Sequence, residues 1–164
     1  MRWSVLVSIT VPLLRGLGIT LELAAIVLIV GSAVGILGGV LFVWGGWPMR
    51  AVMSGLIFLV RGIPLLAQIF GVFFVLPLIG LKFSPFLSSA LALSIFASAT
   101  ITEIVRGGIQ SIPYGQLEGA LSLGFRYGQA MRTIILPQAF RIVLPPLVNQ
   151  FVFLIKATSL ISLL

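Results

Sequence analysis

The chain contains no cysteine, no histidine and only three acidic residues, Glu22, Glu103 and Glu118. Without cysteine and histidine, disulfides, thiolate nucleophiles and the usual zinc or haem sites are excluded, and no Ser-His or Cys-His pair can form. Three carboxylates dispersed over 164 residues also argue against a carboxylate cage for a metal ion. The sequence therefore predicts neither catalytic residues nor a metal site, and we expect that this chain alone is not an enzyme.

Charged residues are also scarce, at 8% of the chain, whereas soluble domains carry about 25%. Hydrophobic residues make up 60%, and the mean hydropathy is +1.26, which indicates a membrane protein. The net charge of +7 would suggest nucleic-acid binding in a soluble domain. Here the basic residues stand between apolar segments, which favours membrane orientation and anionic lipid over a nucleic acid partner.

Four apolar segments reach or approach the roughly 20 residues that a helix needs to cross a bilayer. They cover residues 17–44, 51–81, 85–104 and 134–155. The sequence therefore predicts an all-α, polytopic membrane helical bundle of four spans. It forms a single transmembrane domain over residues 1–164, with a polar interruption at residues 106–133.

The apolar run from Arg2 to Leu14 precedes the first span and has two interpretations. A basic residue followed by an apolar run is typical of a secretory signal peptide, but Arg15 ends the run and no clear cleavage site follows. The alternative is a short segment that lies at the membrane surface.

Gly31, Gly35 and Gly39 recur every four residues in the first predicted span. This spacing places them on one helix face, where small residues allow another backbone to approach closely. The face could contact another subunit or another helix of the same chain. We favour the contact within the chain, because glycine is common in membrane helices.

The second predicted span is interrupted by Arg61-Gly62-Ile63-Pro64. Proline removes a backbone donor and clashes with the preceding turn, so we expect the helix to kink or break there. Arg61 should face protein or water rather than lipid. It either lines a transport pathway, as broken helices often do, or extends towards the lipid headgroups.

Basic residues are most frequent around the polar interruption, which predicts that this loop is cytoplasmic. The cytoplasmic side then also holds Arg50, while Lys82 and the N-terminus lie outside. Arg2 and Arg15 do not fit this orientation. The residues that carry the prediction are Arg106, Arg126, Arg132 and Arg141.

Within the interruption, Gly107-Gly108 and Pro113 are expected to end the third helix. A short helix is predicted at residues 116–130, too polar to span the membrane. An apolar stripe would run along it, because Leu117, Leu121 and Phe125 repeat every four residues.

Charges at the two ends of this short helix suit its dipole, with Glu118 in the first turn and Arg126 near the end. Gly124 and Gly128 each weaken it by about 1 kcal/mol relative to alanine. A close approach by another backbone, or a sharp turn, would explain such glycines. The helix is expected to lie on the cytoplasmic face and to offer a surface to another protein.

The pattern E-G-A-x-x-x-G from Glu118 to Gly124, followed by I-I-L-P at residues 134–137, resembles the EAA loop of permease subunits of ATP-binding-cassette importers. Further blocks are similar to the polar amino acid subclass, which includes histidine, glutamine, glutamate and arginine importers. These are R-G-I-P-L-L from Arg61, E-I-V-R-G-G-I-Q-S-I-P from Glu103, L-P-Q-A from Leu136 and K-A-T-S-L from Lys156.

The resemblance implies a type I importer-like transmembrane domain in the bacterial inner membrane, with Glu118, Gly119, Ala120 and Gly124 in a cytoplasmic coupling helix. Its implied partners are a second permease subunit, identical or related, a periplasmic substrate-binding protein and a dimer of ATPase subunits. ATP and magnesium would be bound by the ATPase, and no cofactor by this chain.

Three positions depart from the family pattern. Gly119 replaces the usual first alanine of the EAA motif, which should loosen the start of the helix. Ala157 stands where an aspartate is usual beside Lys156, so that the contacts of this acid are lost. The chain stops at Leu164, whereas the family usually continues through a final membrane helix, which we therefore expect to be missing.

An amino acid substrate requires groups for its carboxylate and its ammonium, and the candidates are Glu22, Arg61, Thr158 and Ser159. Two other functions stay open at this point. One is a truncated scaffold that occupies a partner without transporting. The other is an ion-coupled carrier, although such carriers normally need buried acids and only Glu22 and Glu103 lie near the spans.

Overall fold

The computed structural model describes the backbone of residues 3–163 and the side chains of residues 10–162. Arg2 and Leu164, which enter two of the sequence predictions, lie outside the described residues. All regular structure within this range is helical, which confirms the all-α fold class. The helices are α1 (Trp3–Trp44), α2 (Trp47–Gly62), α3 (Leu65–Phe70), α4 (Pro85–Gln110), α5 (Tyr114–Ser122), α6 (Tyr127–Ala130) and α7 (Leu136–Ala157).

Three apolar helical segments among the described residues are long enough to cross a bilayer: Thr10–Trp44, Pro85–Gln110 and Tyr127–Ser162. The third combines α6, a π-helical turn, α7 and a final 3₁₀ turn. A fourth crossing is possible if the pair Trp47–Gly62 and Leu65–Ile79 forms one span, which is bent by 98°. Residues 3–14 do not form a separate element, because they belong to α1, which is one helix of 42 residues.

The break in the second predicted span lies at Ile63 and Pro64, as expected. Ile63 adopts an extended conformation, with φ −94° and ψ 129°, since proline disfavours helical geometry in the residue before it. The Gln68 side chain donates hydrogen bonds to the carbonyl oxygens of Val60, at 2.7 Å, and Ile63, at 2.9 Å. These bonds satisfy carbonyls that the interrupted helix leaves without helical partners.

The glycine face of α1 packs on α4 of the same chain, so the prediction of a contact within the chain is confirmed. A Cβ atom added to Gly31 would lie 2.5 Å from the Cβ of Ala97, and one added to Gly35 would lie 2.6 Å from that of Ile101. Thr102 also donates a hydrogen bond from Oγ1 to the carbonyl of Gly35, at 3.1 Å. Residue numbers rise together along this contact, so α1 and α4 run parallel.

Helix α7 packs on α4 in the opposite direction. Gly108 contacts Val143 near one end, and the rings of Phe96 and Phe153 lie 5.8 Å apart further along. The prediction that Gly107-Gly108 ends the third helix is wrong, because α4 continues to Gln110. Gly108 stays helical because its missing side chain leaves room for Val143, and this packing outweighs its low helix propensity.

We predict that Gly35→Ala lowers the unfolding temperature of the purified chain in detergent. The added methyl group would overlap Ile101, and overpacking of this kind costs about 1–3 kcal/mol. Gly55→Ala in α2 is the matched control, because no atom lies within 4 Å of its added Cβ and the helix gains about 0.5–1 kcal/mol. Equal unfolding temperatures for the two variants would contradict the glycine contact.

Candidate functional site

The loop that contains the EAA-like pattern lies where α4 ends and α7 begins. Because α1 runs parallel to α4, the C-terminal end of α1 at Trp44 lies at this same end of the bundle. Ser111 follows α4 and closes it, with its amide donating to the carbonyl of Gly107 at 2.9 Å and its hydroxyl to that of Gly108 at 2.8 Å. Two carbonyls at the end of α4 thus have hydrogen-bond partners, and α5 starts only a few residues later.

Helix α5 spans Tyr114–Ser122 and ends in a tight turn. The amide of Phe125 donates to the carbonyl of Ala120, at 3.1 Å, and the amide of Gly124 donates to that of Leu121, at 3.0 Å. This pair of bonds is a Schellman motif, which requires a left-handed residue after the helix. Gly124 supplies it, with φ +86°. The prediction of one helix over residues 116–130 is therefore wrong.

The two sides of α5 have different environments. Ala120 is 2% exposed and Leu117 packs against the hydrophobic core, whereas Glu118 and Gly119 are exposed. The predicted stripe of Leu117, Leu121 and Phe125 is wrong, since Leu121 is exposed and Phe125 lies beyond the helix. One side of α5 is thus attached to the bundle, and the other is open.

Glu118 is the fifth residue of α5, so its predicted position in the first turn of the helix is wrong. Its carboxylate has no hydrogen-bond or ion-pair partner among the described residues. Only its backbone carbonyl is engaged, as it accepts a bond from the Ser122 hydroxyl at 2.9 Å. The side chain is therefore available to a group outside this chain.

The chain returns to the bundle through α6. Arg126 precedes this helix rather than ending a longer one, and its amide donates to Oε1 of Gln129 at 2.9 Å. Ala130, Met131 and Ile135 follow and are at most 4% exposed. Helix α5 packs on the π-helical turn Met131–Ile135, so it is attached to the start of the last membrane segment.

A second polar group of residues lies at the same end of the bundle and includes Arg61. Arg106 donates from Nε to Oε2 of Glu103 at 2.9 Å and from Nη1 to Oε1 of Gln110 at 2.6 Å. Its guanidinium carbon lies 5.2 Å from the ring centre of Phe42 on α1. Glu103 and Arg106 stand three residues apart on one helix, and this spacing is a sequence signal from which the ion pair could have been predicted.

The four substrate candidates do not form one site in this chain. Arg61 lies with Glu103 and Arg106, whereas Thr158 and Ser159 follow α7 at the opposite end. Glu22 is exposed on α1, well before the glycine contact, and so lies away from the loop end.

The two hydroxyl candidates already have hydrogen-bond partners. Thr158 is buried and donates to the carbonyl of Ile155 at 2.6 Å, and Ser159 donates to that of Lys156 at 2.8 Å. Among the described residues, no three acidic, histidine or cysteine side chains come together to hold a metal ion.

We predict that Gly124→Ala opens the loop, because a left-handed residue with a Cβ costs about 1–2 kcal/mol. The added methyl group meets no other atom, so backbone strain alone would cause the effect. Trypsin should cut faster after Arg126 in this variant. Gly119→Ala is the control, since it also adds a methyl group in open space but should stabilise α5 and slow cleavage. Equal cleavage rates would contradict the role of the turn.

Comparison with known proteins identifies relatives over the whole described fold. The probable glutamine ABC transporter permease protein GlnM of Bacillus subtilis (strain 168) is 52% identical over 87 residues, which are 53% of this chain and 40% of GlnM. The arginine transport system permease protein ArtQ of the same strain is 34% identical over 162 residues, which are 96% of this chain and 74% of ArtQ.

A crystal structure of an amino acid ABC transporter with histidines superposes with a TM-score of 0.90 at 33% identity, covering 99% of this chain and 76% of that chain. For GlnM and for the probable glutamine permease GlnP of the same strain, the matched part is only 40% and 39% of the relative's length. The family model for binding-protein-dependent transport system inner membrane components matches residues 31–164. The chain therefore belongs to the family of binding-protein-dependent transport system inner membrane components.

Proposed function

We propose that this chain is the membrane-spanning subunit of an ATP-driven importer that moves a polar amino acid across the bacterial inner membrane. The observation that carries the proposal is the short helix α5, which is fixed to the bundle on one side and exposes Glu118 on the other. The names of the relatives, which include glutamine and arginine permeases, support an amino acid as the substrate.

In this proposal α5 docks on a separate ATPase dimer, which binds ATP and magnesium. The chain itself performs no catalysis. Glu118 and Gly119 would contact the ATPase, because they occupy the exposed side of α5. Ala120 would instead attach the helix to the bundle, since it is buried. Gly124 would set the turn that holds α5 in place.

The distribution of basic residues supports a cytoplasmic position for this loop. Parallel packing of α1 and α4 gathers six arginines near the loop end, and three basic residues of the described chain lie towards the opposite end. The first group is Arg50, Arg61, Arg106, Arg126, Arg132 and Arg141, and the second is Arg15, Lys82 and Lys156.

Transport would proceed by movement of nearly rigid helices. When ATP closes the ATPase dimer, the docked α5 moves with it, and its short connections pass the movement to α4 and α7. A second permease subunit, identical or related, would provide the other half of the pathway, and a periplasmic binding protein would deliver the amino acid. Alternating access would then arise as the bundles rock about a central site.

The amino acid itself is proposed to meet polar groups distant from the loop. Glu22 is exposed and can pair with an ammonium group, and Ser159 presents an exposed hydroxyl. Thr158 would help to shape this region, because it is buried and its hydroxyl is already bonded within the chain. Arg61 lies closer to the loop, where it would act on an anionic group near the cytoplasmic exit.

We expect Glu118→Lys to uncouple ATP hydrolysis from uptake, because it places a cation at the proposed docking surface. In proteoliposomes with the complete transporter, amino acid uptake should fall at least tenfold, which corresponds to about 1.4 kcal/mol. Membrane insertion should not change. Gly124→Trp should act in the same direction by distorting the turn.

Lys82→Glu is the matched control, since it reverses one charge on the connection between α3 and α4, at the opposite end. Its uptake should stay at the wild-type level. Full uptake by both loop variants would overturn the coupling role of α5. Uptake in vesicles depleted of ATP would instead indicate an ion-coupled carrier.

A further inference from the structure

Two cavities flank helix α2, and each has a distinct chemistry. The first, of about 520 Å³, is lined by charged and aromatic side chains that include Phe42, Phe58, Arg61, Glu103 and Arg106. The second, of about 450 Å³, is almost entirely apolar, with Val34, Gly38, Leu56, Val60 and Ile95 in its wall. Ile57 lines both cavities, so they meet at one side chain of α2.

The charged cavity has an excess of positive charge. Arg106 forms an ion pair with Glu103, so these two charges compensate each other. Arg61 has no hydrogen-bond or ion-pair partner among the described residues. One cation is thus left to attract an anionic group that enters the cavity.

The position of the charged cavity matches the level of lipid headgroups. Phe42 and Arg106 lie within the last turns of α1 and α4. Trp44 and Trp47 stand at the same end and are 52% and 81% exposed. Tryptophan side chains are enriched at the interface between a bilayer and water. The anionic group that best fits this level is the phosphate of a phospholipid.

The apolar cavity extends from this level towards the middle of the membrane. Along α1 it follows residues Val30 to Gly38, and along α4 it follows Leu91 to Thr102. At 1.5 Å per residue these stretches are about 12 and 16 Å long. Helix α2, which forms the remaining wall, buries none of its own residues, so it leaves the groove accessible from the lipid side.

We propose that the two cavities together bind one anionic phospholipid. The phosphate would pair with Arg61, and one acyl chain would pass Ile57 and occupy the apolar groove. Such a site would fill the space between α2 and the α1–α4 pair, and it would hold the broken span against the bundle. A phospholipid matches both parts of the site, because the charged cavity provides the cation of Arg61 and the groove is lined almost entirely by apolar atoms.

The charge of the site favours an anionic lipid over a protein helix. A helix from another protein would leave Arg61 without a counterion unless it carried an acid.

The test is native mass spectrometry of the intact chain after incubation with equimolar phosphatidylglycerol and phosphatidylcholine of matched acyl chains. The wild-type chain should retain phosphatidylglycerol about fivefold more than phosphatidylcholine, as expected for one arginine near an anionic lipid. Arg61→Gln should abolish this preference, whereas Arg61→Lys should keep it. Val34→Trp should reduce the retention of both lipids, because the larger ring fills the groove.

Arg15→Gln is the matched control, since it removes an exposed cation distant from both cavities. It should keep the wild-type preference for phosphatidylglycerol. Equal retention of the two lipids by the wild-type chain would overturn the proposal, as would an unchanged preference in Arg61→Gln. A photoreactive residue at Leu56 that crosslinks to protein instead of lipid would show that another helix occupies the groove.

Discussion

The close parallel contact between α1 and α4 is the constraint on which the rest of the structure depends. In a membrane no hydrophobic force drives helices together, so association relies on close van der Waals packing and a few hydrogen bonds. Gly31, Gly35 and Gly39 provide this packing by admitting the side chains of α4, and Thr102 adds a hydrogen bond across the contact. Once this register is set, both helices end at the same side of the bundle.

The features proposed to matter for function lie at the end of the bundle where α1 and α4 both end. Arg106 reaches the Phe42 ring because the last turns of α4 and α1 lie side by side. A few residues later the chain enters α5, which is closed by the turn at Gly124 and anchored by Ala120. A docked partner, the charged cavity and the lipid interface would therefore all act on α4. A displacement of α5 would therefore be passed directly to α4, through the short connection between the two helices.

The break at Pro64 and the glycine face of α1 were both predicted correctly from the sequence. Pro64 breaks its helix, because it lacks an amide donor and disfavours helical geometry at Ile63, whereas Pro12, Pro145 and Pro146 stay inside helices. The spacing of Gly31 and Gly35 correctly indicated a packed face. Gly108 was wrongly expected to end the third helix, whereas a sharp turn at Gly124 was one of the two explanations that the sequence left open. Gly108 continues its helix because Val143 fills the adjacent space, while Gly124 ends one because its left-handed backbone allows the Schellman bonds. The low helix propensity of glycine does not by itself decide whether a helix continues or ends at that residue.

The sequence by itself determined the membrane class, the helical fold, the broken span and the loop that resembles a docking segment. All of these follow from local composition, spacing and chain-breaking residues. Only the tertiary structure decided which side of α5 is exposed, since burial depends on the turn Met131–Ile135 packing against it. It also separated Arg61 from Thr158 and Ser159 and placed it beside Glu103 and Arg106. Residues that are distant in the chain come together only when their helices pack in a particular register. That register depends on contacts between side chains of different helices, so one segment of sequence does not determine it.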